Sequence, residues 1–183
     1  MDLQYPIGKF TWNRAGEGLV ASEAERQQWL SEIEAAPAKL RAAVAGMTKA
    51  QLDTPYRPEG WTVRQVVHHL ADSHLNSYVR FRLALTEDEP PIKAYKQADW
   101  AELSDARSAP VEISLTLFEA LHKRWILLLR SIPPEGYARA LWHPEQGRIT
   151  LEKCLAIYAW HGRHHVAHIN SLRESQAGHA ART

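Results

Sequence analysis

Four of the ten histidines of this 183-residue chain fall within eight residues near its C-terminal end, and this cluster constrains the fold more than any other feature. His161, His164, His165 and His168 lie inside a pattern of apolar residues that predicts a helix over about 150–174. At about 100° per residue, the four side chains form one stripe about 100° wide. A helix of this kind places part of its polar stripe beside the core of the protein.

The apolar face of the same helix separates the four histidines into two pairs. That face consists of Leu151, Leu155, Tyr158, Val166, Ile169 and Leu172. His161 and His165 lie nearest to it, whereas His164 and His168 fall beyond its edge. Two imidazoles one helical turn apart can chelate a single divalent metal ion. The spacing therefore predicts a metal site at His161 and His165, with the remaining ligands elsewhere in the chain.

Composition predicts one domain and argues against several classes of protein. With 45% apolar residues in the chain, residues 1–174 can form one core, and the Ala-rich stretch 175–183 is predicted to be a disordered tail. The formal net charge is +1 without a basic run, which argues against nucleic-acid binding. The N-terminal residues lack the apolar core of a signal peptide, and the longest apolar run, 125–129, is too short to cross a membrane. We expect a soluble cytoplasmic protein whose only cysteine, Cys154, is a buried apolar residue rather than a nucleophile.

Capping patterns locate the start of two long helices that precede the histidine-rich one. Ser22 with Glu25, and Thr62 with Gln65, follow the pattern in which a side chain and a backbone amide cap each other. The first of these helices contains Pro37, which is expected to kink or divide it. Both helices continue with apolar residues at helical spacing, so each is long enough to bury one face.

One more helix and several connections complete the predicted architecture. Residues 111–131 predict a helix with the inner face Ile113, Leu117, Leu121, Trp125 and Leu128. The opening segment is irregular to about residues 16–18. Residues 92–110 form a long connection with one helical turn near 98–103, and residues 141–148 form a loop or short hairpin. The chain is therefore predicted to be all-α, as a four-helix bundle with long connections.

Three histidines on the helix that begins at Thr62 are candidates for the missing ligand. On the helical wheel, His74 lies within the apolar arc, His69 lies beyond its edge and His68 lies nearly opposite. The wheel favours His74 weakly and leaves the third ligand open.

Four segments of the chain form a specific combination of motifs. They are 5–8 (YPIG), 51–57 (QLDTPYR), 60–74 (GWTVRQVVHHLADSH) and 160–168 (WHGRHHVAH). Together they resemble the YfiT group of the DinB-like superfamily, and the resemblance extends from Tyr5 to about Leu172. Members are described as metal-dependent hydrolases, and their relatives include bacillithiol S-transferases.

The resemblance implies both a fold and a set of ligands. Members of this group are four-helix bundles that hold a metal ion with three histidines. The motif matches His69, which precedes Leu-Ala-Asp, and the spaced pair His161 and His165. The implied ligands agree with the wheel on the last helix, and on the earlier helix they replace its preference for His74.

Three neutral imidazoles leave an open coordination position, which is typical of a catalytic metal site. Zinc is the first choice of metal, while nickel, iron or cobalt also suit imidazole ligands. The nucleophile would be metal-bound water, in a hydrolase, or the thiolate of a low-molecular-weight thiol co-substrate, in an S-transferase that acts on small electrophiles. No carboxylate next to the histidines is evident as a general base, which favours the transferase.

Other residues have weaker claims to a role, since each also has an ordinary structural interpretation. Asp72 is a candidate to orient a ligand imidazole, and His74, His164 and His168 are candidates for proton transfer or for the pocket lining. The candidates for contact with an anionic substrate are Arg64, Arg80 and Arg163. The candidates for pocket walls are Trp61, Tyr78, Trp142 and Trp160.

The alternative to an enzyme is a metal-binding helical bundle without catalytic activity that acts in a stress response. A fourth protein ligand, His74 or His168, would distinguish such a site from a catalytic one. For the enzyme, the expected partner is a small-molecule substrate, and the bundle is a candidate homodimer.

Overall fold

The computed structural model describes residues 2–12 and 21–180, with side chains to residue 177. Four long helices form the body of the protein: α1 (Glu23–Val44), α3 (Val63–Thr86), α6 (Val111–Ser131) and α7 (Leu151–Ala180). α1 packs against α6 and α7, and α3 packs against the same two helices, so the four form a bundle. This confirms the predicted four-helix bundle. Residues 16–18, where the opening segment was expected to end, lie outside the described residues.

The capping patterns form as predicted, because each depends only on residues close in sequence. The Ser22 amide donates to Glu25 Oε2 at 2.9 Å, and the Glu25 amide donates to Ser22 Oγ at 3.3 Å. Thr62 and Gln65 make the same exchange at 2.9 and 3.2 Å. These bonds satisfy amides that have no partner inside the helix, and they place the start of α1 and α3.

Pro37 does not divide α1, which continues from Glu23 to Val44 as one helix. Proline removes one backbone hydrogen bond, so another interaction must hold the two halves in line. Ile33, Ala36 and Leu40 are buried against the bundle on both sides of Pro37. Burial of this inner face stabilises the continuous helix.

The inner face of α6 differs in part from the predicted one. Leu121 and Trp125 are buried as expected, but Ile113 is 62% exposed and Leu117 is 43% exposed. The inward stripe is rotated, and it consists of Ser114, Leu115, Phe118, Leu121, His122, Trp125, Ile126 and Leu129. The prediction failed because α6 also carries apolar residues on its outer side, so periodicity alone did not identify the buried one.

The connections contain short elements of their own. α2 (Lys49–Leu52) precedes the loop to α3, α4 (Gln97–Ala101) and α5 (Ser104–Ser108) replace the single expected turn, and a 3-10 helix covers Pro134–Ala138. The hairpin is present, with β1 (Ala140–His143) antiparallel to β2 (Gly147–Thr150).

α7 continues beyond the predicted end of the histidine-rich helix. Ser175 to Ala180, assigned by the sequence to a disordered tail, extend the helix, and residues 181–183 lie outside the described part. Gln51 donates a side-chain hydrogen bond to Gln176 at 3.3 Å, which ties this extension to α2. No helix among the described residues is long and apolar enough to cross a membrane.

The core of the bundle consists of two apolar clusters, and a buried histidine contacts both. Trp125 belongs to one cluster and Phe118 to the other. His74 is fully buried, and its ring contacts both, with ring centroids 5.8 Å from Trp125 and 4.9 Å from Phe118. Buried histidines of this kind need hydrogen-bond partners, because an unpaired polar group in the core is destabilising.

Candidate metal centre

α3 and α7 bring three histidines together at one side of the bundle. His69 lies in the second turn of α3, while His161 and His165 lie one turn apart on α7. One ring nitrogen from each lies within 4.8 Å of the other two. His69 also packs on Trp61, the residue before the α3 cap, with ring centroids 4.7 Å apart.

The spacing and the charge state of the three imidazoles suit a divalent metal ion. Nε2 of His69 lies 3.3 Å from Nε2 of His161. A tetrahedral ion with bonds of about 2.0–2.1 Å separates two of its nitrogen ligands by about 3.3 Å, so this pair already has the required distance. Burial lowers the pKa of His69 to about 4, and burial with the neighbouring histidines lowers the pKa of His161 and His165 well below the usual value. All three are therefore neutral at pH 7, as a metal ligand must be.

A chain of hydrogen bonds behind His161 fixes which of its nitrogens carries the proton. Nδ1 of His122 lies 2.7 Å from the carbonyl oxygen of Phe118, which can only accept, so this nitrogen is the donor. Nε2 of the neutral His122 then accepts from Nδ1 of His74 at 3.0 Å, and Nε2 of His74 accepts from Nδ1 of His161 at 3.2 Å. The network thus assigns the free lone pair of His161 to Nε2, which faces His69.

His165 is held in a similar way by a shorter chain. Nε2 of His168 donates to the carbonyl oxygen of Gln4 at 3.1 Å, which leaves Nδ1 of His168 as an acceptor. Nδ1 of His165 lies 3.4 Å from that acceptor, so its proton points away from His69 and His161. The ring of Tyr56 stacks on His168 with centroids 4.0 Å apart and fixes its plane. Both nitrogens of His74 and of His168 are thus engaged elsewhere, and neither side chain presents a fourth ligand.

The three histidines line a cavity of about 380 Å³. Its walls come from the N-terminal segment at residues 4–5, from the loop at residues 56–61, from Gln97 and from α7. Trp160 donates to the carbonyl oxygen of Gly8 at 3.3 Å, which holds the N-terminal segment against α7. The cavity is therefore assembled from parts of the chain that are remote in sequence.

Several candidates from the sequence lie outside this cavity. His68 bonds to Ser114 Oγ at 2.7 Å and to the Ala109 carbonyl at 3.2 Å, so it joins α3 to the start of α6. Asp72 does not line the cavity, and burial raises its pKa to about 6. Cys154 is buried as predicted, and burial raises its pKa to about 12, which makes it inert as a nucleophile.

The predicted arginine contacts and aromatic walls have mixed outcomes. Each of the three arginines is engaged outside the cavity: Arg64 with Asp53, Arg80 with the Lys93 carbonyl and Arg163 with Glu32. Trp61 and Trp160 line the cavity as proposed. Tyr78 lies in the core, and Trp142 is 51% exposed on β1.

Sequence reasoning missed three residues of this region. His122 accepts a hydrogen bond from His74. The sequence feature that could have identified His122 is its position as a polar residue inside the apolar stripe of α6. Arg57 and Glu59 line the cavity, and Glu59 supplies a carboxylate where none was expected. Nothing in a helical pattern could locate them, because both lie in an irregular loop.

The buried histidines predict that the metal-free protein loses stability in mild acid. Burial lowers the pKa of His122 and of His164 to about 4, whereas in the unfolded chain both titrate near 6.5. Between these values the unfolded chain binds more protons, so the free energy of unfolding falls as the pH falls from about 6.5 to about 4. His122, which lies in the core, contributes a loss of up to about 1.4 kcal/mol per pH unit in this window, and His164, which lines the open cavity, contributes less.

Urea unfolding in EDTA at about pH 7 and about pH 5 measures this effect. The raised pKa of Asp72 acts in the opposite sense, so Asp72→Asn should steepen the fall. An unchanged free energy of unfolding between the two pH values would contradict the prediction.

Comparison with known proteins supports what the geometry indicates. The sequence profile of the DinB superfamily matches residues 32–169. A protein of Bacillus cereus named "Putative metal-dependent hydrolase" is 52% identical over 173 residues, which cover 94% of this chain and 96% of that protein. A Bacillus mycoides protein of the same description is 51% identical over the same shares.

A solved structure extends the similarity to the whole fold. YfiT from Bacillus subtilis, described as "a probable metal-dependent hydrolase with an unusual four-helix bundle topology", has a TM-score of 0.91 and 46% sequence identity to this chain. The match covers 97% of this chain and 99% of YfiT. The chain belongs to the YfiT group of the DinB superfamily.

Proposed function

We propose that the protein is a metal-dependent hydrolase of a small electrophilic substrate, with His69, His161 and His165 as the ligands of a divalent ion. The observation that carries this proposal is the convergence of three neutral imidazoles, within 4.8 Å of one another, on one cavity. Zinc suits these donors and their spacing, and nickel suits the same donors. When bound, the ion lowers the pKa of a water or thiol that it holds and polarises the group under attack.

The residues around the ligands supply the other parts of a hydrolytic site. Glu59 is the carboxylate of the cavity wall, and it is the candidate to take a proton from the nucleophile and return it to the leaving group. The rings of Trp61 and Trp160 line the cavity and offer apolar surface to the substrate. His164 also lines the cavity, and its ring stacks on Trp160 with centroids 4.3 Å apart.

Thiol S-transfer is the second candidate, and the position of Glu59 favours it in one respect. Glu59 is exposed, with a backbone φ of 58°, so it is less firmly placed than the buried histidines. A thiolate held by the ion needs no base at the moment of attack. A low-molecular-weight thiol of the bacillithiol type would then be the co-substrate.

The non-catalytic alternative finds less support, because it requires a fourth protein ligand. His74 and His168 both use their two ring nitrogens in other hydrogen bonds. A small-molecule substrate, a cytoplasmic location and a homodimer stay predictions. Ile113, Leu117 and Leu127 are exposed apolar residues of α6 that such a dimer could cover.

A variant of Glu59 distinguishes the two reactions. We expect Glu59→Gln to lower the hydrolysis of activated esters by about 100-fold or more, because it removes the general base. In the transferase, the same variant should leave the thiol-dependent consumption of monochlorobimane close to the wild-type rate. Glutathione, cysteine and bacillithiol are the thiols to compare.

Bound metal is determined by mass spectrometry in the same preparations, and Glu145→Gln, in the exposed hairpin turn, is the matched control. Metal retained with neither activity would move the assignment to the non-catalytic bundle. No stoichiometric metal, even after reconstitution with zinc or nickel, would refute the metal site itself.

A further inference from the structure

Arg57 is the cationic side chain of the cavity wall, and it has no acidic partner among the described residues. Its Nε is buried and has no hydrogen-bond partner. Buried guanidinium groups are normally paired, since an unsatisfied charged donor is costly. Glu59 lines the same cavity but does not form an ion pair with Arg57. Arg57 as a whole is half-buried and lines the cavity, so a ligand bound there can supply the acceptor that this Nε lacks.

The loop holds the guanidinium in one orientation. Nη1 of Arg57 donates to the carbonyl oxygen of Pro58 at 2.9 Å, and the amide of Gly60 donates to the carbonyl oxygen of Arg57 at 3.0 Å. A Cβ at Gly60 would lie 2.7 Å from Cγ of Arg57, so glycine lets the side chain pack against the turn. The hydrogen bond at Nη1 leaves a different edge of the guanidinium unused. That edge carries Nε–H and Nη2–H, two parallel donors that match the two oxygens of a carboxylate.

The charges of the cavity favour an anion. The histidines are neutral, Arg57 contributes +1 and Glu59 contributes −1, so a divalent ion makes the cavity positive. Tyr56 connects the two parts of the cavity: its ring lies 5.5 Å from the Arg57 guanidinium carbon and stacks on His168, the hydrogen-bond partner of His165. The arginine and the three histidines thus line the same cavity, joined through Tyr56 and His168.

We propose that the substrate or thiol co-substrate carries a carboxylate, which binds the Nε edge of Arg57 while its reacting group lies at His69, His161 and His165. The placement of the reacting group rests on the proposed function, whereas the carboxylate site rests on Arg57 alone. The site therefore selects acids over neutral molecules of the same shape.

Two thiols that differ only in charge test this proposal: 3-mercaptopropionate and its uncharged amide, 3-mercaptopropionamide. Their binding to the metal-loaded protein is measured by isothermal titration calorimetry. We expect the acid to bind about 10- to 100-fold more tightly, as for hydrogen bonds to a charged group. Arg57→Gln should abolish this difference, and Arg57→Lys, which keeps the charge but not the paired donors, should retain part of it.

Arg130→Gln is the matched control, because it removes one exposed arginine on α6 outside the cavity. Circular dichroism establishes that each variant is folded. Equal binding of the two thiols by the wild type, or an unchanged preference in Arg57→Gln, overturns the proposal.

Titrations in EDTA separate this proposal from the proposed function. If the metal site is wrong and the carboxylate site is right, the acid binds equally with and without EDTA, and Arg57→Gln removes that binding. If the metal site is right and the carboxylate site is wrong, the two thiols bind equally and only to the metal-loaded protein.

Discussion

His161→Ala is expected to lose stoichiometric metal and, with it, all metal-dependent turnover. Four-ligand structural zinc sites bind with about 10–16 kcal/mol, or about 3 kcal/mol per ligand, so the loss of one ligand lowers metal affinity by about 100- to 1000-fold. The ion would then fail to survive purification. Competition with a chelating dye at fixed pH measures the affinity, and mass spectrometry measures the bound metal.

The adjacent histidines provide the control for this experiment. His164→Ala removes an imidazole from the same helix and the same cavity, yet its Nδ1 has no partner and its ring stacks on Trp160 at 4.3 Å. We expect the His164→Ala variant to retain stoichiometric metal. His161→Ala also deprives His74 of a partner. His165→Ala is therefore a second test, because it leaves intact the relay, that is, the hydrogen-bond chain from His161 through His74 to His122. Wild-type metal content in either ligand variant would contradict the proposed ligand set.

His122→Phe is expected to weaken metal binding by about 10- to 100-fold, although His122 does not touch the three ligands. Phenylalanine fills a similar volume but removes the acceptor for Nδ1 of His74. His74 is then free to carry its proton on Nε2, and His161 would have to accept on Nδ1 and place its own proton on Nε2, the nitrogen that we propose as the metal ligand. The ring ¹⁵N chemical shifts of His161 report this change directly.

A conservative variant and a control show whether His122→Phe weakens metal binding by changing the position of a proton or by destabilising the whole protein. His122→Gln retains an amide oxygen that can accept from His74 and an amide N–H that can donate to Phe118, so it should recover most of the affinity. His68→Phe also removes a buried histidine, but one that bonds to Ser114 and Ala109 away from the cavity. Equal losses in His68→Phe and His122→Phe would show that the relay has no specific role.

The sequence predicted the elements that depend on neighbouring residues. The caps at Ser22 and Thr62 need only a residue three positions away, and the pair His161 and His165 needs only the helical period. The inner face of α6 was harder to identify, since Ile113 continues the apolar pattern on the exposed side. Sequence patterns therefore predict a feature correctly where the interactions that form it join residues close in sequence.

Tertiary contacts decided the rest of the candidate site. The wheel favoured His74 over His69 because it assumed one buried face, but α3 is enclosed on nearly all sides over its first three turns, and even His68 is buried. The resemblance to known proteins, rather than periodicity, selected His69. Arg57 and Glu59 come from a loop whose path no periodic pattern describes.

The N-terminal wall of the cavity also sets an order of events during the synthesis of the protein. Gln4 is made 164 residues before His168, whose ring it holds, so the ribosome must complete most of α7 before the two can meet. Until then His165 lacks the contact that orients it, and the cavity lacks one side. We therefore expect metal loading to follow translation rather than accompany it, with Gln4 and its neighbours among the last residues to reach their native position.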